Sequence, residues 1–330
     1  MSLTTVMNRT RSTRSVGIAL LCLLVSCAAT LGAGTQCAHG QDAWNIREHI
    51  PRDKVVVMAH RGMGEEAPEG TMESFLAAWA LGQAPEADIR TTKDGVVVSF
   101  HDDNFARIIP DAPDEIKRQG VQDVTLAELV KLDVGAYKGE RFQGQRVATM
   151  TDIIAALQAD KTRYIFCDLK NVDLPKFAEQ TRDVWPQIYL TSSDYVVLKK
   201  WKELAPTSKT RLWTPRAWCE DETTFRRQIQ NYLDQKLVDL DILEAHAKVD
   251  ADGNLSPSRD AFTYIANQAR EYGALFEVMP LTYGDKTFSY KSLLDAGVSA
   301  LSSDYPTVVK HALDDYYQAP QRDANASQAN

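Results

Sequence analysis

From Lys54 onward, the chain alternates short apolar runs rich in β-branched residues with amphipathic stretches. This alternation restricts the fold more than any other feature, because it is typical of βα units that place parallel strands in one sheet. Strands are predicted at residues 55–59, 86–90, 163–168, 187–191, 210–214, 238–243, 274–278 and 299–303. Helices are predicted between them at residues 72–81, 175–185, 195–204, 223–235, 258–272 and 290–296. Eight such units predict an α/β protein with a closed TIM-type (β/α)8 barrel.

One further apolar run, at residues 96–100, follows the second strand too closely for a crossover helix. The intervening Asp94-Gly95 pair favours a two-residue turn, so this run is predicted to be the return arm of a β-hairpin. With that loop, Asp88 faces His101 and lies on the same side of its strand as Glu86. A register slip of one residue should destroy this arrangement.

The barrel is predicted to occupy residues 54–317, after a lead-in at 41–53. Residues 102–149 are long for a βα connection and contain one clear short helix, at 125–132. They are therefore predicted to form a small insertion over the barrel mouth. The polar tail, residues 318–330, is predicted to be disordered.

The first 40 residues have the order of regions found in a secretory signal peptide. Three arginines precede an apolar run at residues 16–29, and small residues follow as far as Gly40. Cleavage near Gly40 would export the protein to the periplasm or the extracellular space. Residues 24–27 also resemble a bacterial lipobox, so Cys27 is a candidate lipidation site. The apolar core is shorter than the ~20 residues of a spanning helix, so no transmembrane span is predicted in the mature chain.

Removing residues 1–40 takes away three positive charges and no negative ones, so the formal net charge falls from −8 to −11. An acidic body argues against nucleic acid as a partner, since a polyanion normally needs a basic face. A small anionic substrate could still be held by a local cation. Only Cys167 and Cys219 remain after cleavage, so disulfides are not the main structural device. Composition leaves the oligomeric state open.

Polar side chains are concentrated where the first three strands end, which is where barrel enzymes place their active sites. The candidate site residues are His60, Arg61, Glu86, Asp88, His101, Asp168 and Lys170. Three carboxylates converging from two strands suit a hard divalent cation, Ca²⁺ or Mg²⁺. A glycoside hydrolase would also use paired carboxylates, but it would leave the two histidines unexplained.

Phosphodiester cleavage explains the whole set of candidate residues. A divalent cation with Arg61 and Lys170 would neutralise the phosphate, and His60 and His101 would serve as general acid and base because imidazole titrates near neutral pH. Any one of these residues alone would more often be structural. His246, at the end of the sixth strand, stays undecided, with a structural role favoured.

Beyond single residues, the order and spacing of several motifs resemble the glycerophosphodiester phosphodiesterase family. The motifs are Ala59-His60-Arg61-Gly62, Ala67-Pro68-Glu69-Gly70-Thr71, Glu86-Ala87-Asp88, Thr92-Lys93-Asp94-Gly95, His101-Asp102, Asp168-Leu169-Lys170 and Ser302-Ser303-Asp304-Tyr305-Pro306. The similarity extends over residues 54–313. It implies metal-dependent hydrolysis of glycerophosphodiesters to glycerol 3-phosphate and an alcohol.

In residue terms, the resemblance implies that His60 and His101 are the general acid and base. It also implies that Glu86, Asp88 and Asp168 hold the metal, and that Arg61 and Lys170 contact phosphate.

The chain departs from the family pattern at three places. Asp168 stands where the family usually has Glu, Gly70 where it commonly has Asn, and residues 276–279 where it often has Trp-Thr-Val-Asn. The Asp-x-Lys element also resembles the spider-venom sphingomyelinase D relatives, which cleave choline phospholipids or their lyso forms. A catalytically silent phosphate-ester-binding protein is a further alternative. The head group is left open.

Overall fold

The computed structural model describes residues 44–281 and 286–320. The predicted signal peptide, its Cys27 and all but the first residues of the predicted tail lie outside these ranges. Within them the strands are β1 (Val56–Ala59), β2 (Ala84–Thr91), β3 (Val97–Ser99), β4 (Ile165–Leu169), β5 (Ile188–Ser192), β6 (Lys209–Leu212), β7 (Ile242–Val249), β8 (Leu255–Ser256), β9 (Leu275–Pro280) and β10 (Ala300–Ser303).

Eight of these strands form a closed parallel barrel. Around the ring they follow the order β1, β2, β4, β5, β6, β7, β9 and β10. Strand β1 pairs with both β2 and β10, which closes the ring. The short strands β3 and β8 pair antiparallel to β2 and β7 outside it. The predicted (β/α)8 barrel and the hairpin after the second strand are confirmed.

The helices are α1 (Ile46–His49), α2 (Met72–Ala80), α3 (Asp114–Lys117), α4 (Leu126–Leu129), α5 (Met150–Ala159), α6 (Leu174–Gln180), α7 (Tyr195–Leu204), α8 (Glu222–Leu233), α9 (Arg259–Glu271), α10 (Thr287–Asp295) and α11 (Pro306–Gln318). Many of the crossover helices begin at a Ser, Thr or Asp whose side chain accepts a backbone N–H of the first turn, as Thr71 does for α2 and Asp221 for α8. Their apolar faces pack on the outside of the barrel; in α8, for example, Phe225, Ile229 and Leu233 recur every fourth residue and are buried. No helix in the described ranges is both long enough and apolar enough to cross a bilayer.

The inside of the barrel is apolar at the bottom and polar at the top. Met58, Phe166, Tyr189 and Ile242 form a buried cluster, with the rings of Phe166 and Tyr189 stacked 4.6 Å apart. Two residues further along a strand the side chain points to the same interior. Two residues beyond Met58, Phe166 and Ile242, the chain carries His60, Asp168 and Glu244, respectively. The polar residues of the mouth therefore lie directly above this apolar layer.

The predicted hairpin register is wrong by one residue. Ile89 pairs with Ser99, and the Phe100 N–H donates to the Asp88 carbonyl (2.7 Å), so Asp88 faces Phe100 instead of His101. The loop has three residues because the Thr92 hydroxyl accepts the Val96 N–H (2.9 Å) and Gly95 takes a φ of +86°, which is a geometry typical of three-residue hairpins.

His101 nevertheless reaches the barrel mouth, so the expectation that a slip would destroy the arrangement is also wrong. Strand β3 ends at Ser99, and beyond that point the alternation of a strand no longer sets the direction of the side chains. The Arg90 guanidinium fixes the turning chain, because Nε donates to the Phe100 carbonyl (3.1 Å) and Nη2 to the His101 carbonyl (2.8 Å).

Another boundary differs at the sixth barrel strand, which was predicted at 238–243. Residues 236, 237 and 239 have positive φ angles and form a turn, and β7 runs from Ile242 to Val249. The apolar Leu237 and Leu240 that suggested a strand are buried in that turn. His246 consequently lies inside a strand and not at its end.

Residues 102–149 pack against the hairpin. They contain α3, α4 and three short 3-10 turns, compared with the single helix predicted. Their apolar side chains share a cluster with Val98 and Phe100 of the hairpin; these are Phe105, Ile108, Val121, Val124, Leu129, Val134 and Val147. Cys167 and Cys219 are both buried and unbridged.

Candidate active site

The seven predicted site residues come together where β1, β2 and β4 end. A cavity of about 200 Å³ opens there. Its lining includes His60, Glu86, Asp88, His101, Asp168 and Lys170. Arg61 lies beside it, with its backbone N–H donating to Glu86 Oε2 (3.2 Å) and its Nε 3.9 Å from Asp88 Oδ2. The catalytic, phosphate-binding and metal-binding roles given to these residues stay predictions.

Glu86, Asp88 and Asp168 form a buried acidic triad with carboxylate oxygens within 4.8 Å of one another. Burial raises the pKa of Asp168 to about 6, and the neighbouring Glu86 adds to the shift while Lys170 opposes it. Burial also raises the pKa of Glu86, against the influence of His60. The protein alone therefore stabilises the ionised forms of Glu86 and Asp168 poorly. An oxygen-only donor set with this property fits a hard divalent cation.

The Lys170 ammonium lies between two carboxylates of the triad. Its Nζ is 2.5 Å from Asp168 Oδ2 and 3.0 Å from Asp88 Oδ1. Burial pushes the pKa of Asp88 up, but the charges of Lys170, His101 and Arg61 outweigh it, so the pKa falls below its ordinary value. The Trp213 Nε1–H donates to the other oxygen of Asp168 (3.1 Å), so both carboxylate oxygens have a partner.

His60 is held between two carboxylates. Its Nδ1 lies 2.5 Å from Asp304 Oδ1, and its Nε2 lies 3.5 Å from Glu86 Oε2. Burial disfavours the imidazolium, but Glu86 and Asp304 outweigh it and raise the pKa of His60 to about 9. A cation bound at the triad would act against this shift, because it would repel the imidazolium.

His101 is held by a chain of charged groups that begins in the insertion. Its Nδ1 lies 2.6 Å from Asp102 Oδ1. Arg107 Nε donates to Asp102 Oδ2 (2.7 Å), and Arg107 Nη1 and Nη2 donate to the two Glu69 oxygens (2.7 Å each). Burial opposes ionisation of Asp102, but hydrogen bonds from Arg107 and His101 outweigh it and lower its pKa to about 2. Asp102 is thus a fixed anion that orients His101.

Comparison with known proteins identifies the family. The model of the "Glycerophosphoryl diester phosphodiesterase family" matches residues 60–308, which contain the whole site. This chain belongs to that family.

A curated glycerophosphodiester phosphodiesterase from Caldanaerobacter subterraneus is 31% identical over 169 residues, spanning 48% of this chain and 66% of that protein. Human glycerophosphodiester phosphodiesterase 1 is 31% identical over 149 residues, spanning 43% and 42%. These matches cover less than two thirds of the relatives' own lengths.

Solved structures share the fold. A glycerophosphoryl diester phosphodiesterase from Parabacteroides distasonis superposes with a TM-score of 0.62 at 21% identity, covering 83% of this chain and 90% of that one. An Oleispira antarctica phosphodiesterase, solved with the product sn-glycerol-3-phosphate, superposes with a TM-score of 0.58 at 24% identity, covering 78% and 96%.

The family's first motif has a backbone that few residues can adopt. Arg61 has a φ of +53° and Gly62 a φ of +104°. A Cβ on Gly62 would lie 2.3 Å from Ser74 Oγ, and one on Gly64 would lie 2.1 Å from the Asp304 carbonyl oxygen. These close approaches let the loop after β1 turn toward the mouth. Gly70, where the family commonly has Asn, has a φ of +66°, a conformation that both residues tolerate.

The cavity has a second wall that was not predicted from the sequence. It is formed by Arg211, Trp213, Arg216, Glu244, His246 and Met279. Behind it, Arg211 donates to Glu277 Oε1 from Nη2 (2.6 Å) and Nε (2.9 Å). His246 therefore lines the mouth, although the sequence favoured a structural role for it. Its two-residue spacing from Glu244 on one strand, like that of Glu86 and Asp88, is a pattern that could have indicated this wall.

Asp304 and Arg107 were also not singled out. Asp304 directly follows β10, the position in the last βα unit that corresponds to other strand-end residues, so its place at the mouth was accessible to the same argument. Arg107 lies in the insertion, where no periodicity indicates which side chain turns back to the barrel.

Proposed function

We propose that this protein hydrolyses glycerophosphodiesters to glycerol 3-phosphate and an alcohol. The observation that carries the proposal is the arrangement at one mouth of a buried acidic triad and two histidines, each with a carboxylate on its Nδ1. Family membership supports the same reaction. The substrate is a small phosphodiester and not nucleic acid.

Glu86, Asp88 and Asp168 would hold a divalent cation, Ca²⁺ or Mg²⁺. When bound, the cation supplies charge neutralisation for the phosphate and for the oxygen that attacks it. With the triad occupied, Asp88 and Asp168 would no longer depend on Lys170 alone for charge compensation. Lys170 and Arg61 then have charge available for the phosphate oxygens.

His60 and His101 carry the proton transfers. Because the Nδ1 atoms of both are bonded to Asp304 and Asp102, the Nε2 atoms are the ones that exchange protons. One histidine accepts the proton of the attacking hydroxyl, and the other donates a proton to the oxygen of the departing alcohol. The attacking hydroxyl is that of water or the substrate's neighbouring glycerol hydroxyl. On the second route the alcohol leaves with formation of a cyclic phosphate, which water then opens to glycerol 3-phosphate.

The test is alcohol release from glycerophosphocholine, glycerophosphoethanolamine, glycerophosphoglycerol and lysophosphatidylcholine by purified, chelator-treated protein, with Ca²⁺ or Mg²⁺ restored. The His101→Ala variant is compared with His311→Ala, which removes an exposed histidine of α11. Metal-dependent turnover of a soluble diester that is lost only in His101→Ala supports the proposal.

Two other outcomes contradict it. Turnover of the lyso-lipid alone, with a cyclic phosphate product, assigns the protein to the sphingomyelinase D-like reaction. Metal binding without turnover of any diester assigns it to the silent binding proteins.

We also infer that the protein is exported, on the basis of the order of basic, apolar and small residues at its N-terminus. Cell fractionation with mass spectrometry of the mature N-terminus tests this. A terminus near Gln41 indicates a free protein, and a lipidated Cys27 whose membrane attachment is lost in Cys27→Ser indicates an anchored one. An intact Met1 in the cytoplasmic fraction contradicts export.

A further inference from the structure

The wall of the mouth opposite the acidic triad has polar atoms that no described residue pairs by a hydrogen bond. In the eight-strand ring, β7 lies four strands from β2 in either direction, so the two are diametrically opposed. Glu244 and His246 of β7 therefore face Glu86 and Asp88 of β2 across the cavity. A substrate whose phosphate lies at the triad extends toward one wall or another, and among the described residues this wall offers buried polar atoms without a hydrogen-bond partner.

Glu244 is the centre of this wall. It is 1% exposed, and its Oε2 accepts the Thr214 N–H (3.1 Å). Its Oε1 is buried and has no hydrogen-bond partner among the described residues, and the same holds for His246 Nδ1, which lies 3.3 Å away. Buried polar atoms are nearly always paired, so an unpaired set that lines a cavity indicates a ligand contact.

The cation behind the wall does not satisfy Glu244. Arg211 directs its Nε and Nη2 to Glu277 and its Nη1 to the Thr191 hydroxyl (3.1 Å). The hydrogen bonds of Arg211 therefore go to Glu277 and Thr191, and none of them goes to Glu244 Oε1. Burial lowers the pKa of His246 to about 4, with Arg211 and Arg216 adding to the shift, so the imidazole is neutral at neutral pH and can accept a hydrogen bond.

Apart from the exposed cation Arg216, the remaining lining is apolar or aromatic. Met279 is the neighbour of His246 in the β7–β9 register, and Trp213, tied to Asp168 through its Nε1–H, spans the gap between the two walls. A small group placed here meets two hydrogen-bonding atoms, an indole and a thioether. These contacts suit a short alcohol with a polar end.

We propose that Glu244 and His246 form the subsite for the alcohol part of the diester and select head groups that carry an additional O–H or N–H donor. This inference rests on the proposed hydrolysis of glycerophosphodiesters. Head groups with such a donor include ethanolamine and glycerol, whereas choline has none. A site with unpaired buried polar atoms discriminates strongly between ligands that supply the missing hydrogen bonds and those that do not.

The experiment compares kcat/KM for glycerophosphoethanolamine, glycerophosphoglycerol and glycerophosphocholine in the wild type, Glu244→Met and Glu220→Gln. Glu220 is an exposed glutamate paired with Lys248 and serves as the matched control. We expect Glu244→Met to lose about 10-fold or more on the two donor-bearing substrates and less than about 3-fold on glycerophosphocholine. Glu220→Gln should leave all three values unchanged.

A second variant and a binding measurement cover the case in which Glu244→Met is unstable. Glu244→Gln keeps an acceptor for the Thr214 N–H and should lose the preference for glycerophosphoethanolamine over glycerophosphocholine. Calorimetric titration of both diesters into metal-loaded His101→Ala, with and without Glu244→Gln, measures the same preference without turnover.

The outcomes separate this inference from the proposed function. Wild-type turnover with an equal loss on all three substrates in both Glu244 variants overturns the subsite and leaves the hydrolysis intact, as does a wild-type preference for glycerophosphocholine. Absence of wild-type turnover on every diester overturns the proposed function, and the subsite with it.

Discussion

Replacing Arg107 by methionine removes the guanidinium that joins Asp102 to Glu69. Four hydrogen bonds of 2.7 to 2.9 Å disappear, two to each carboxylate. Hydrogen bonds to charged groups contribute ~1.5–3 kcal/mol each when buried, whereas exposed ion pairs contribute ~0.2–1 kcal/mol. Arg107 is 43% exposed, so most of the buried value is lost to solvent screening. The four hydrogen bonds of Arg107, called the clamp below, therefore contribute on the order of 1–3 kcal/mol in total.

This free energy acts on the reaction through His101. Without the clamp, Asp102 can leave its position at His101 Nδ1, and the population of correctly oriented imidazole falls. If the full clamp energy is lost from the transition state, kcat falls by roughly 5- to 150-fold. Arg107 does not line the cavity, so KM should change by less than about 3-fold.

Steady-state kinetics of Arg107→Met and Arg107→Lys measure the effect, with guanidinium added to Arg107→Met as a chemical rescue. Lysine should restore part of kcat, because it keeps a donor and a charge but not the two-carboxylate geometry. Thermal denaturation shows whether the variants are folded at the assay temperature. A kcat within 2-fold of the wild type, or a loss that appears mainly in KM, would refute the positioning role of Arg107.

Three further predictions concern the triad and the buried charges. Asp168→Asn should weaken Ca²⁺ or Mg²⁺ binding by about 10-fold or more in calorimetry, since it removes one negative charge from the proposed metal site; unchanged affinity would place the metal elsewhere. Glu277→Ala leaves the buried Arg211 charge without its 2.6 Å partner, so the free energy of unfolding in urea denaturation should fall by about 3–5 kcal/mol. A loss below about 1 kcal/mol would mean that Glu244 compensates the charge of Arg211. Burial raises the pKa of Glu244 from 4.5 to about 8, so its stabilising contribution is complete below 4.5 and is lost as the pH rises through about 8. Wild-type stability should therefore decline over this window more steeply than that of Glu244→Gln, and parallel curves would contradict the raised pKa.

The order of elements and the place of the first half of the site follow from local sequence patterns. Alternating apolar and amphipathic segments specify parallel strands joined by helices, and the carboxyl ends of parallel strands all reach the same end of a barrel. His60, Asp168 and Lys170 could therefore be placed at one mouth without any knowledge of packing. Glu86 and Asp88 followed from the two-residue period of a strand.

Structural features that depend on the geometry between distant segments were predicted less well. The hairpin register changed with one extra loop residue, since it was set by the Thr92 hydroxyl and the positive φ of Gly95 instead of the dipeptide that suggested the turn. His101 reached the site because Arg90 bonds the carbonyls beyond the strand, a contact that no periodicity encodes. The turn at residues 236–239 was taken for a strand because its apolar residues are buried as they would be in one.

By itself, the sequence determined that this chain forms a barrel of the glycerophosphodiester phosphodiesterase family with acidic and imidazole groups at its mouth, because period and chain order are local properties. Only the tertiary structure decided which groups hold those side chains and what faces them. Asp304 meets His60 across 244 residues, Arg211 meets Glu277 across 66, and Glu69 meets Arg107 across 38. Such partners are selected by closure of the ring and packing of the insertion, which depend on the whole chain at once.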